Sequence, residues 1–101
     1  MDQKLIWADS AVDDLDCTAE YISRDSPAYA ASFVRRVVAV VESVQRMPES
    51  GGIVPEFDRQ DLREVLVDSY RIIYSLSVSE IRIVAIIHGA RRIERVLESR
   101  S

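Results

Sequence analysis

Arginines at 71, 91, 92 and 95 and the single histidine, His88, are the side chains whose types and spacing could do chemistry. An arginine presents a fixed fork of donors suited to phosphate or carboxylate. Histidine titrates near neutrality and can pass a proton. Arg71, His88 and Arg91 brought to one place could hold a phosphodiester and move a proton at it. Spacing alone favours a plainer reading. Arg71 then pairs with a neighbouring acid, His88 bonds a loop carbonyl, and Arg91, Arg92 and Arg95 solvate a tail.

The remaining reactive side chains offer less. Cys17 has no second cysteine and no histidine near it in sequence, which argues against a nucleophile, a disulfide or a metal-ligand set. No metal and no cofactor is expected. Gly51 and Gly52 follow no predicted strand and precede no GK[ST], so they do not form a phosphate cradle. Tyr21 and Tyr29 flank the turn between two predicted helices, where they either complete the core edge or form an apolar rim for a partner.

The chain's 101 residues fit one domain, taken as 1–101. Its 48% apolar and 30% charged residues are ordinary for a globular protein. No apolar run is long enough to cross a bilayer, and the start has no signal-peptide core. A cytoplasmic protein is expected. The net charge of −4 argues against a general nucleic-acid binder. That charge is uneven: residues 1–57 carry −5 and residues 58–101 carry +1, with the only locally basic stretch beyond residue 90.

The elements that must position these residues follow from periodicity. "KLIW" at 4–7 is read as a strand. Ala11, Leu15, Thr18 and Ile22 recur at helical spacing, and Ser10 with Asp13 fits a capping box. Ser26 and Pro27 open a second helix with Phe33, Val34, Val37, Val41 and Val44 on one stripe, and Pro48 ends it. Residues 49–61 read as loop. Strands follow at 62–67, 70–76 and 81–88, with "DS" as a tight hairpin connection. Tyr70, Ile72, Tyr74 and Leu76 alternate with Arg71, Ile73 and Ser75. Ile81, Ile83, Ala85 and Ile87 alternate with Arg82, Val84, Ile86 and His88. The expectation is an α+β fold, β-α-α-β-β-β, with a sheet covered by the helices on one side only and Arg71 and His88 together on its mixed face. Ile93, Val96 and Leu97 predict a short terminal helix.

Two segments in this order carry a resemblance. Tyr70-Arg71-Ile72-Ile73-Tyr74 followed by His88-Gly89-Ala90-Arg91 resembles the ParE/RelE superfamily of bacterial toxins. "IWADSAVDDLDCTAEYI" resembles that family's first strand and helix, and "LREV" its second strand. The resemblance implies a helical hairpin packed on an antiparallel meander. It implies a type II toxin that forms a hetero-oligomer with a cognate, ParD-like antitoxin, with Tyr21 and Tyr29 as candidate contacts. It implies two possible activities: inhibition of DNA gyrase, or cleavage of mRNA on the ribosome.

Departures from the ribonuclease branch favour the ParE side. That branch is strongly basic, whereas Lys4 is the one lysine here, and the strand at 62–67 offers Arg63 beside Glu64. Leu97 stands where that branch commonly has a tyrosine. RNA cleavage would fall to Arg71, His88 and Arg91. On the gyrase reading, Arg71, Arg91, Arg92 and Arg95 contact the target and no residue is catalytic. A non-toxic binding domain of the same fold is the third reading.

Overall fold

The computed structural model describes residues 3–89 and 91–100. Strand β1 (Lys4–Trp7) leads into helix α1 (Asp9–Ser23), and helix α2 (Pro27–Arg46) returns antiparallel to it. Ser26 caps α2 by accepting the Tyr29 N–H at 3.1 Å, and Pro27 occupies the first turn, as the sequence predicts. The capping box does not form on α1. Ala8 is its N-cap, and the Ser10 hydroxyl instead donates to the Val84 carbonyl at 3.2 Å.

The meander is β3 (Leu62–Val67), β4 (Tyr70–Leu76) and β5 (Glu80–His88), followed by the six-residue helix α3 (Ile93–Glu98). The Asp68-Ser69 turn joins β3 to β4. Asp68 takes a left-handed φ of 54°, which aspartate tolerates better than most residues. One strand was not expected. Gly52–Ile53, read as loop, forms β2 against Glu64 and Arg63. Two residues are too few to leave a periodic signal. The resulting five-stranded sheet has the order β1-β5-β4-β3-β2, with β1 parallel to β5 and the other pairs antiparallel.

The helices cover one face of this sheet through Ala11, Phe33, Val37, Val41 and Val44, packed on Ile72, Tyr74, Ile81 and Ile83. The opposite face was expected to be open and mixed. It instead carries a second apolar cluster, in which Ile93 and Val96 of α3 and Val54 pack on Ile73, Ala85 and Ile87. The short terminal helix supplies this cover by folding back over the sheet.

The alternation along β5 also departs from expectation, for one reason. Ile73 pairs with Ala85 while Tyr74 pairs with Ile83, so Val84 is an extra residue in a β-bulge. Inserting one residue reverses every later side chain. Ile81 and Ile83 therefore face the helices, Ala85 and Ile87 face α3, and Ile86 returns to the helix side.

Tyr74 fastens the loop before β2 to the sheet. Its buried ring sends the hydroxyl to the Pro48 carbonyl at 2.9 Å, and that hydroxyl accepts the Gly51 N–H at 2.9 Å. A Cβ at Gly51 would overlap the Tyr74 hydroxyl and lie 2.8 Å from the Glu64 carbonyl oxygen. Neither neighbour can swing away. Gly51→Ala is expected to cost about 1–3 kcal/mol through overpacking, whereas Gly52→Ala meets nothing within 4 Å. Urea melts of the two variants check this. Equal midpoints would mean the loop is not held by this contact.

Candidate functional site

The bulge decides how the candidate residues are distributed. His88 pairs with Tyr70, and Arg71 pairs with Ile87. Cross-strand partners share a face, so His88 lies on the helix side and Arg71 on the α3 side. The expected common face for Arg71 and His88 is thereby corrected, because the extra residue at Val84 puts His88 out of phase.

Arg71 is almost buried, with 8% of its surface exposed. Its Nε donates to Glu64 Oε1 at 2.6 Å, and Nη1 and Nη2 donate to the two oxygens of Glu56 at 2.8 Å each. This is a forked, charge-assisted arrangement. Hydrogen bonding to Glu56 holds the guanidinium pKa above its ordinary value, and the same bonds hold the Glu56 carboxyl below its own. The neighbouring charge on β3 is also occupied: Arg63 donates to the Glu49 and Gly51 carbonyls at 3.1 and 3.0 Å.

His88 is exposed at the end of β5, edge-on to Tyr70 with ring centroids 5.3 Å apart. Tyr70 in turn meets Phe33 edge-on at 5.2 Å. A groove of about 350 Å³ runs between α1 and this end of the sheet, lined by Cys17, Tyr21, Tyr70, Ile86, His88 and Arg91. The structure thus brings Tyr21, His88 and Arg91 together and leaves Arg71 on the other face. Arg91, Arg92 and Arg95 are exposed and line a second, adjoining groove with Val96 and Arg100. Arg92 makes a long contact to Glu94, at 3.9 Å with three-quarters of the arginine side chain in solvent, and such pairs contribute little.

The two tyrosines part company. Tyr21 is 64% exposed on the first groove. Tyr29 is tied to the β3–β4 turn: its hydroxyl donates to Asp68 Oδ2 at 2.6 Å, and Arg36, which bonds Asp68 Oδ1 at 2.6 Å, lies 5.5 Å over its ring. The expected acidic partner of Arg71 was not named from the sequence, and Arg100 was given none. Glu56 and Glu64 are the acids that hold Arg71, and Asp14 pairs with Arg100. No spacing rule links partners 86 residues apart, as Asp14 and Arg100 are.

Among the described residues, no group of three or more His, Cys, Asp or Glu could hold a metal ion. Among the same residues, no helix is long and apolar enough to cross a membrane.

The fold and this corner define a class: a small α+β domain whose helical hairpin and C-terminal arginines meet at one end of a meander. The family model described as "ParE toxin of type II toxin-antitoxin system, parDE" matches residues 5–93. The chain belongs to the ParE toxin family of type II toxin–antitoxin systems. No curated protein sequence matches it. Among solved structures, "Chromosomal ParDE TA system from P. aeruginosa" is similar at a TM-score of 0.70 and 22% identity, covering 85% of this chain and 95% of that one. That likeness concerns the fold.

Proposed function

We propose that this chain is the toxin of a type II pair, that it inhibits DNA gyrase by binding it, and that a ParD-like antitoxin neutralises it in a hetero-oligomer. The placement of Arg71 carries the choice between binding and RNA cleavage. Cleavage of RNA needs a base, a proton donor and phosphate-holding cations converging on one atom. Arg71 has its fork filled by Glu56 and Glu64 on the face opposite His88. His88 and Arg91 alone make a poor catalytic set, whereas exposed arginines beside aromatic rings suit a protein interface.

The contact surface is then Arg91, Arg92 and Arg95, while Arg71 holds the sheet from behind. Tyr21 shares its groove with Arg91, so an antitoxin segment seated on Tyr21 would also cover the arginine. A disordered segment folding onto the toxin could bury enough surface for tight binding despite its ordering cost. Tyr29 would contribute its exposed ring edge.

Induction of the chain alone is expected to arrest bacterial growth with an SOS response and filamentation. Arg91→Ala/Arg92→Ala should abolish arrest, since a desolvated interface arginine can contribute about 2 kcal/mol or more. The same double variant should shift stability by less than about 0.5 kcal/mol, as both side chains are exposed. Growth arrest by an intact double variant would reduce these arginines to a solvated tail. Loss of translation with mRNA cut on the ribosome, and no SOS response, would transfer the chain to the ribonuclease reading. An absence of any arrest would leave a binding domain.

A further inference from the structure

The outer edge of β5 poses a problem that three distant residues solve. β1 runs beside β5 only as far as the pair Trp7–Ile83. Beyond it β5 continues to His88, and the bulge at Val84 leaves backbone groups turned toward the missing neighbour. A sheet edge with unmet donors and acceptors must find partners elsewhere. Here side chains provide them. Asp14 of α1 accepts the Ile86 N–H at 2.9 Å on Oδ2. The Val84 carbonyl accepts from Ser10 Oγ and from Arg100 Nη1, both at 3.2 Å. Arg100 then grips Asp14 with both arms of its fork, at 2.7 Å each.

This pair stands just past the C-terminal end of α3, and the buried Ile93 stands at the helix's other end. A six-residue helix has no independent stability. Its apolar row, Ile93 and Val96, can bury against the sheet without fixing how far the helix slides or turns. A second attachment at the opposite end removes that freedom. The arginine side chain is 22% exposed and the aspartate 18%, so the contact is largely shielded from water. A shielded, forked pair is more directional than a surface one.

We propose that Asp14 and Arg100 are positioning residues: their ion pair fixes α3 against the β5 bulge and thereby sets how Arg91, Arg92 and Arg95 are presented. The proposal rests on the reading of those three arginines as the contact surface. It makes α1 a second determinant of activity, although α1 carries none of the cations involved.

The test uses the full chain with Arg100→Ala, Asp14→Asn and Arg100→Lys. Asparagine at 14 keeps an acceptor for the Ile86 amide but removes the charge that Arg100 grips. Lysine at 100 keeps charge but not the fork. Hydrogen exchange followed residue by residue should quicken at least tenfold at the Val96 and Leu97 amides in Arg100→Ala and Asp14→Asn. The Ile72 and Ile73 amides in the central strand should change less than twofold. Arg100→Lys should fall between these variants and the parent. Growth inhibition should drop at least fivefold in Arg100→Ala, with the antitoxin still captured.

Unchanged exchange in α3 overturns the proposal. So does exchange that quickens equally in β4, because the pair would then merely stabilise the whole domain. Full growth arrest by Arg100→Ala also overturns it if Arg91→Ala/Arg92→Ala is inactive. Retained arrest in that double variant is a separate failure, of the functional reading, and the exchange measurements do not depend on it.

Discussion

Val37→Asp is expected to leave the chain without a cooperative folding transition. Val37 lies at the centre of α2 with none of its surface exposed, among Phe33, Val41, Ile72, Tyr74 and Ile81. A carboxylate placed there loses its hydration and gains no cation. The effective penalty for one unpaired buried ion is several kcal/mol, to which lost apolar burial of about 1.5–3 kcal/mol adds. A domain of this size has roughly 5–15 kcal/mol in all. Val38, one residue further along, is 42% exposed, so Val38→Asp should change stability by no more than about 0.5 kcal/mol. Circular dichroism melts of both variants decide the matter. A folded Val37→Asp domain with the parent's melting temperature would mean that α2 packs in another rotation.

Arg71→Ala should be the most damaging removal of a charged residue, at about 3–5 kcal/mol. The loss arises less from the arginine than from what it leaves behind. Glu64 and Glu56 have side chains only 19% and 30% exposed, and without Arg71 each would lose its counter-charge. The partial exposure of Glu56 places the expected value toward the lower end of that range.

The cost should also depend on pH in a defined direction. Hydrogen bonds from Arg71 hold the Glu56 carboxyl below its ordinary range. A group with a lowered folded-state pKa contributes stability above its unfolded value of about 4.3, and that contribution disappears as pH falls through the lowered one. The gap between parent and Arg71→Ala should therefore be wide at pH 7 and narrow in acid. Denaturant titrations at pH 7 and about pH 3 measure it. A gap unchanged across that interval would remove the ion pair as its cause. Any loss of growth inhibition in Arg71→Ala must be judged against its melting curve, since unfolding alone would produce one.

Much of this protein was legible in local sequence. Ser26 and Pro27 begin α2 where the cap rules place them, because capping depends on atoms three residues apart. The valine stripe identified the buried face of α2, since 3.6-residue periodicity is a property of one helix. "DS" between two alternating runs marked the β3–β4 hairpin for the same reason. The pairing of Tyr70-Arg71-Ile72-Ile73-Tyr74 with His88-Gly89-Ala90-Arg91 pointed to the family whose model matches residues 5–93.

Only the tertiary structure decided which side chains meet. Val84 has no local feature that marks it as surplus; the bulge exists only in the register of β5 against β4. That one residue sends His88 to the helix face and leaves Arg71 behind with Glu56 and Glu64. Beyond the end of β1 it also turns outward the backbone groups that Asp14 and Arg100 cover from 86 residues apart. Sequence determined the elements and their apolar faces, because those follow from periodicity within a few turns. The phase of β5 and the partners of the arginines belong to the fold, because they depend on how strands distant in sequence come into register.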